Sequence, residues 1–179
     1  MSGPAPSPLI PAWVDGALVP VDKLEVHRRG LRHPAVSVFV MDGDRTLLQR
    51  RALGKYHTPG LWANACCTHP HWGEAPADCA ARRLREELGI TGLTLAPRER
   101  VEYRADVGAG LIEHERVDLF TAAAPASLPL APDPAEVMET RWITLEALGA
   151  EIAAKPETFT PWLRIYLADH SRRIFGAAA

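Results

Sequence analysis

Residues 68–90 read "THPHWGEAPADCAARRLREELGI". In the second half Ala77, Ala80, Ala81, Leu84 and Leu88 recur at spacings of three and four, the signature of an amphipathic helix. Pro76 suits a first turn and Gly89 suits the residue that closes the last, so the spacing predicts a helix over 76–88. Arg83 and Glu87 fall one turn apart at the edge of its apolar face, and Arg82 and Glu86 form a second such pair further round. Just upstream, "NACCTHPHWGE" (64–74) sets two cysteines before two histidines and a glutamate. That composition admits a redox pair, a metal site, a nucleophile or a buried turn. If residues 65–69 are extended, Cys67 and His69 project to one side and Cys66 to the other.

Outward from this stretch, "AVSVFVM" (35–41) and "TLLQRR" (46–51) are strand-like runs joined through "DGD", which predicts a hairpin. "GLIEHERVDLF" (110–120) alternates with period two. In a strand Glu113, Glu115, Val117 and Leu119 share one face, while Ile112, His114, Arg116 and Asp118 share the other. Either two carboxylates are buried beside core residues, or this is an edge strand with solvated glutamates. "TRWI" (140–143) reads as a further strand. "TLEALGAEIAA" (144–154) and "TPWLRIYLADHSRRIFG" (160–176) read as helices, the second opening at Thr160 and Pro161 and ending by Gly176.

The chain has 179 residues, 47% of them hydrophobic, which suits one compact domain. Four prolines in "MSGPAPSPLIP" predict a flexible tail over 1–12, with the folded domain over 13–179. Lysine and arginine number 20 against 22 acidic residues, so no basic field points to nucleic acid or an anionic membrane. Three cysteines do not pair completely, and neighbours such as Cys66 and Cys67 rarely bridge, which argues against a disulfide framework and for a reducing cytoplasm. No apolar stretch approaches bilayer length, and the first residues lack the pattern of a signal peptide.

The region from Thr68 to Ile90 resembles the Nudix box, G, five residues, E, seven residues, then R-E-U-x-E-E-x-G-U with U aliphatic. Glu74, Arg82, Leu84, Glu86, Glu87, Gly89 and Ile90 fit; Thr68 stands in place of the leading glycine and Arg83 in place of a glutamate. A hydrolase of this kind needs several helix carboxylates to hold magnesium around a diphosphate and an attacking water. Putting a cation among them favours binding a diphosphate over cutting it. With "HRRGLRH", "CTHP", "EYR", "EHE" and "TPW" added, the chain from about Lys23 to about Trp162 resembles a type I isopentenyl diphosphate isomerase.

That resemblance implies a mixed α/β (α+β) fold, a sheet sandwiched between helices. It implies a three-histidine, two-carboxylate metal site from His27, His33, His69, Glu113 and Glu115, for Mn2+, Mg2+ or Zn2+. Strand alternation excludes His114 from this site, and His57, His71 and His170 have no motif counterpart and read as structural. The resemblance further implies proton transfer by Cys67 and Glu115, with Tyr103 beside Glu115 and Trp162 facing a carbocation. The diphosphate is expected on Mg2+ bound to Glu87 and the backbone of Cys67, with Lys23, Arg51, Lys55 and Arg83 around it. The competing reading of Arg83 and Glu87 is an ordinary surface ion pair, and Glu74 and Glu86 read equally well as solvated; Cys66 and Cys79 read as packing residues. Two departures stand out: Thr68, and Pro34 where many isomerases carry arginine, which biases His33 towards extended backbone. The expected partner is a small isoprenoid diphosphate, met by a monomer or homodimer. The alternatives are a pyrophosphohydrolase of a nucleoside diphosphate derivative and a non-catalytic metal or diphosphate-binding module.

Overall fold

A computed structural model of the chain describes residues 8–176. In chain order it contains β1 (Leu9–Val14), β2 (Ala17–Asp22), α1 (Lys23–Arg29), β3 (Arg32–Asp42), β4 (Arg45–Arg51), β5 (Trp62–Asn64) and β6 (Cys66–Thr68). There follow α2 (Pro76–Leu88), β7 (Ala96–Pro97), β8 (Val101–Gly108), β9 (Leu111–Ala123), β10 (Val137–Thr144), α3 (Leu145–Ala154), α4 (Pro161–Asp169) and α5 (Ser171–Phe175). β1 and β2 form a two-stranded sheet, and the other eight strands form one mixed sheet whose central β3 runs parallel to β9. This is the expected α+β architecture.

The sheet separates two apolar layers. On one side Phe39, Val117 and Leu119 pack against Leu148 of α3, Leu163 and Tyr166 of α4, and Ile174 of α5. On the other, Val36, Val38, Cys66 and Phe120 pack against Cys79, Ala80, Leu84 and Leu88 of α2. The period-two alternation of β3 and β9 sends successive residues into opposite layers, which is why both strands are nearly continuously apolar where they cross the core. Helix α2 has the bounds its spacing predicts. It closes at Gly89, φ 69°, whose N–H donates to the Arg85 carbonyl while Ile90 N–H reaches that of Leu84.

Three expectations need correction. The proposed tail at 1–12 lies partly outside the described residues, and within them Leu9–Val14 is already a strand, with Ile10 and Ala12 buried. Proline there is tolerated because Pro11 and Pro20 face each other in an isolated two-stranded ribbon. The hairpin between β3 and β4 extends only to the pairs Met41–Thr46 and Asp42–Arg45. Beyond them the strands splay: β6 inserts beside Val36–Val38 of β3, while β4 pairs with β5 and β10. The single helix read over 160–176 is two, because His170 leaves helical geometry at φ −129°, ψ 6°.

A Cβ at Gly89 would lie 2.7 Å from Ala131 Cβ and 3.1 Å from its backbone N and O, whereas one at Gly43, φ 60°, meets nothing within 4 Å. Gly89→Ala therefore combines left-handed strain with a backbone clash and is expected to cost about 2–4 kcal/mol, against about 1 kcal/mol for Gly43→Ala. Denaturant midpoints at unchanged m-value check the ranking.

Candidate active site

Strand register assembles the centre of the site. Glu115 on β9 is paired with His33 on β3 and with Tyr103 on β8, so three polar side chains form one row across three adjacent strands. Glu113 lies two residues along β9, on the same face. The alternative of a solvated edge strand is excluded, because Glu113 and Glu115 are 2% and 1% exposed. Past the end of β6, His69 turns its Nε2 to within 2.9 Å of Glu115 Oε1 and 3.1 Å of His33 Nε2. Helix α1 adds His27, one turn after Lys23. His114, on the opposite face, sits 3.3 Å from Glu102 and takes no part.

The histidine tautomers follow from their backbone contacts. His27 Nδ1 lies 2.6 Å from the Lys23 carbonyl and His33 Nδ1 2.7 Å from that of Leu31. A carbonyl only accepts, so each Nδ1 carries the proton and each neutral ring turns a lone pair at Nε2 into the site. Burial, reinforced by His33, lowers the His27 pKa to about 4, and burial holds His69 well below the ordinary range. Burial, then the charge of Glu115, raises Glu113 well above the carboxylate range. Burial acts on Glu115 in the same sense, but the adjacent imidazoles of His33 and His69, the latter 2.9 Å from Oε1, outweigh it and hold its pKa well below the ordinary carboxylate range. Tyr103 Oη lies 2.7 Å from Glu113 Oε2 and 2.8 Å from Glu115 Oε2. A phenol has one proton to donate, so both contacts are satisfied when Glu113 holds the proton shared by the carboxyl pair. Imidazole lone pairs and carboxylates converging in a dry pocket are the donor set of a divalent transition metal. His27, His33, His69 and Glu115 present donor atoms that all lie within 4.8 Å of one another, and Glu113 forms a second such group with His27 and His57. These residues can hold a metal ion.

Beside this cluster lies a cavity of about 20 Å³, the room of roughly one water. It is lined by Cys67, His69, Glu113, Glu115 and Trp162 together with all four expected cations, Lys23, Arg51, Lys55 and Arg83, and by Glu87. Cys67 faces the cavity while Cys66 is in the opposite core, as an extended backbone requires, and all three cysteines are free. Burial, then Glu115 and Glu113, pushes the Cys67 thiol well above its usual pKa. Burial lowers Lys23 to about 8, with Lys55, Arg83 and Arg51 acting in the same direction. Four cations gathered at this cost, with Lys55 paired to Glu136 and Arg83 to Glu86 and Glu87, offer the charge an anion would need.

Glu87 is buried and takes bonds from Arg83 (2.6 Å) and Gln49 (2.7 Å), so the Arg83–Glu87 contact is no solvated surface pair. Glu74 is not merely solvated either: Arg82 grips both its oxygens at 2.6 and 2.8 Å. Glu86 is exposed and bonds Arg82 and Arg83. Pro34 fits because its residue lies within the extended run of β3, and His33 beside it is fully buried. Thr68 is buried at the cavity wall. Sequence reasoning missed His57, which it assigned a structural role; His57 Nε2 lies 3.4 Å from Glu113 Oε1 inside the cavity. It also missed Tyr56, Glu136 and Gln49. The signal available for His57 was its place between Lys55 and "TPGLW", in the loop that carries one of the cations.

Comparison with known proteins fits this geometry. A family model described as NUDIX domain matches residues 31–163, which makes the chain a Nudix-domain protein. Solved structures similar in fold include DR0079 from Deinococcus radiodurans (TM-score 0.63, 20% identity, 79% of this chain and 82% of that one). Another is a MutT NUDIX hydrolase from Burkholderia pseudomallei (TM-score 0.61, 22% identity, 78% and 98%). The isopentenyl-diphosphate Delta-isomerase of Cereibacter sphaeroides (strain ATCC 17025) is 71% identical over 94% of this chain and 95% of its own length. That of Dinoroseobacter shibae is 71% identical over 96% and 97%. The chain belongs to the isopentenyl-diphosphate Delta-isomerase family. No helix among the described residues is long and apolar enough to cross a membrane.

Lys23 is the cation of the anion site whose charge titrates near neutrality. An anion binds the protonated form, so the contribution of Lys23 to affinity for pyrophosphate in the presence of Mg2+, beyond the ligand's own titration, is expected to fall as pH rises through about 8. Calorimetric titration checks this, and Lys23→Met should abolish the fall while weakening binding throughout.

Proposed function

We propose that this protein isomerises isopentenyl diphosphate to dimethylallyl diphosphate, as the names of its 71%-identical relatives state for them, and so supplies isoprenoid precursors. The observation that carries the reading is the convergence, in one cavity, of a thiol, a buried carboxyl pair and four cations. The cations Lys23, Arg51, Lys55 and Arg83 bind the diphosphate, and Glu87 and the Cys67 backbone would hold the Mg2+ that neutralises its charge. The hydrocarbon end then lies among Cys67, Glu115 and Trp162. One proton is added to the terminal alkene carbon and another is removed from the far side of the resulting tertiary cation, leaving atoms and charge of the substrate unchanged. We assign these two transfers to Cys67 and Glu115, one group giving a proton to the substrate and the other taking one from it.

His27, His33, His69, Glu113 and Glu115 would hold a divalent ion, Mn2+, Mg2+ or Zn2+, which supplies positive charge that fixes and acidifies the carboxyl pair. Tyr103 orients Glu115 and passes the proton shared with Glu113. Trp162, 1% exposed, closes the slot against water, and its indole face can contribute about 2 kcal/mol to a desolvated cation, roughly thirtyfold in rate. Every group named comes from one chain, so a protomer suffices whether the protein is a monomer or a homodimer. The three free cysteines suit a reducing cytoplasm.

Incubation with isopentenyl diphosphate in heavy water is expected to yield deuterated dimethylallyl diphosphate with no phosphate released. Phosphate without isomer would make the protein a pyrophosphohydrolase instead. Cys67→Ala is expected to lower kcat about 10²–10⁴-fold while the melting temperature and metal content hold; full activity in this variant would reject the role of the thiol.

A further inference from the structure

We propose that His57 is a sixth protein donor to the ion held by His27, His33, His69, Glu113 and Glu115. The inference rests on the metal reading above and extends it to a residue that reading leaves out. His57 is 4% exposed, and its Nε2 points at Glu113 Oε1 from 3.4 Å. His27 belongs both to the cluster with His33, His69 and Glu115 and to the one with His57 and Glu113. Its ring has the other three imidazoles around it, at centroid distances of 5.0 Å (His33), 5.1 Å (His69) and 5.7 Å (His57). Two donors at right angles on a metal with bonds near 2.1 Å are about 3 Å apart. The His33–His69, His69–Glu115 and His57–Glu113 contacts of 3.1, 2.9 and 3.4 Å all approach that separation.

Neighbouring residues also aim His57. Its Nδ1 lies 3.1 Å from Thr58 Oγ1; donating there leaves the Nε2 lone pair facing Glu113. Thr58 is β-branched, buried and at φ 47°, a conformation such residues avoid, and backbone strain of this kind persists where surroundings enforce it around a functional group. The Arg51 guanidinium bonds the His57 carbonyl at 3.2 Å, and Trp162 packs edge-on against the ring. The ring is thus held by Thr58 and Trp162, and its backbone by Arg51. Four imidazoles and two carboxylates complete a six-donor shell richer in nitrogen than magnesium favours, which selects manganese or another transition ion.

Pulsed EPR of the Mn2+-loaded enzyme, counting directly bound nitrogens, tests this. Four nitrogens are expected in the parent and three in His57→Asn, whose Mn2+ dissociation constant, read by chelator competition, rises about 10–100-fold. Three nitrogens in the parent would overturn the inference and make His57 only a hydrogen-bond partner of Glu113. The parent count decides the matter even if the variant fails to fold. Absence of any bound nitrogen would sink the whole cage, a result distinct from a count of three.

Discussion

The structure turns on the burial of one carboxylate. Glu115 sits at 1% exposure in the middle of a sheet, ionised, and a lone charge there would be destabilising by several kcal/mol. It is tolerated because neighbouring strands are in register to surround it: His33 on one side, Tyr103 on the other, and His69 delivered by the turn after β6. Yet His27 and His33, with Nδ1 bound to carbonyls, bring lone pairs rather than protons to the pocket. Such a cluster is suited to a positive charge at its centre, which would offset the burial of its donors.

The same logic explains how the Nudix helix is used here. In α2 the cation Arg83 stands among Glu86 and Glu87, and Glu87 is held on its other side by Gln49 from β4. A helix that could hold several metal ions on carboxylates instead presents one buried carboxylate and one guanidinium, the pair proposed to meet the diphosphate. On the adjoining face of the sheet Cys67 and Glu115 line the same cavity as Trp162. In the proposed reaction the site keeps the anchoring half of a phosphate-cleaving helix and joins it to an acid–base pair.

Local signals in the chain were good guides to local structure. Helix α2 was legible because both ends carry residues with fixed backbone preferences and its apolar spacing is uninterrupted. The alternation of "EHE" identified which two carboxylates share a face, and the register of β9 puts both in the interior. What depended on contacts between distant segments was not legible. The splaying of β4 from β3 follows from insertion of β6, a three-residue strand too short to announce itself. His57 sits in a loop without periodicity, and its relation to Glu113 exists only once β9 is buried beneath it. The prolines near the start misled for a physical reason, since an isolated ribbon accepts residues that a central strand does not.

On the proposed reading the His–Glu cluster around Glu115 is a cage for one divalent ion. Anomalous diffraction at the manganese edge, from crystals grown with Mn2+, tests it most directly. A strong peak is expected inside the cluster, within bonding distance of His27, His33, His69, Glu113 and Glu115. A peak found only on the exposed carboxylates of α2, with the cluster empty, would contradict it.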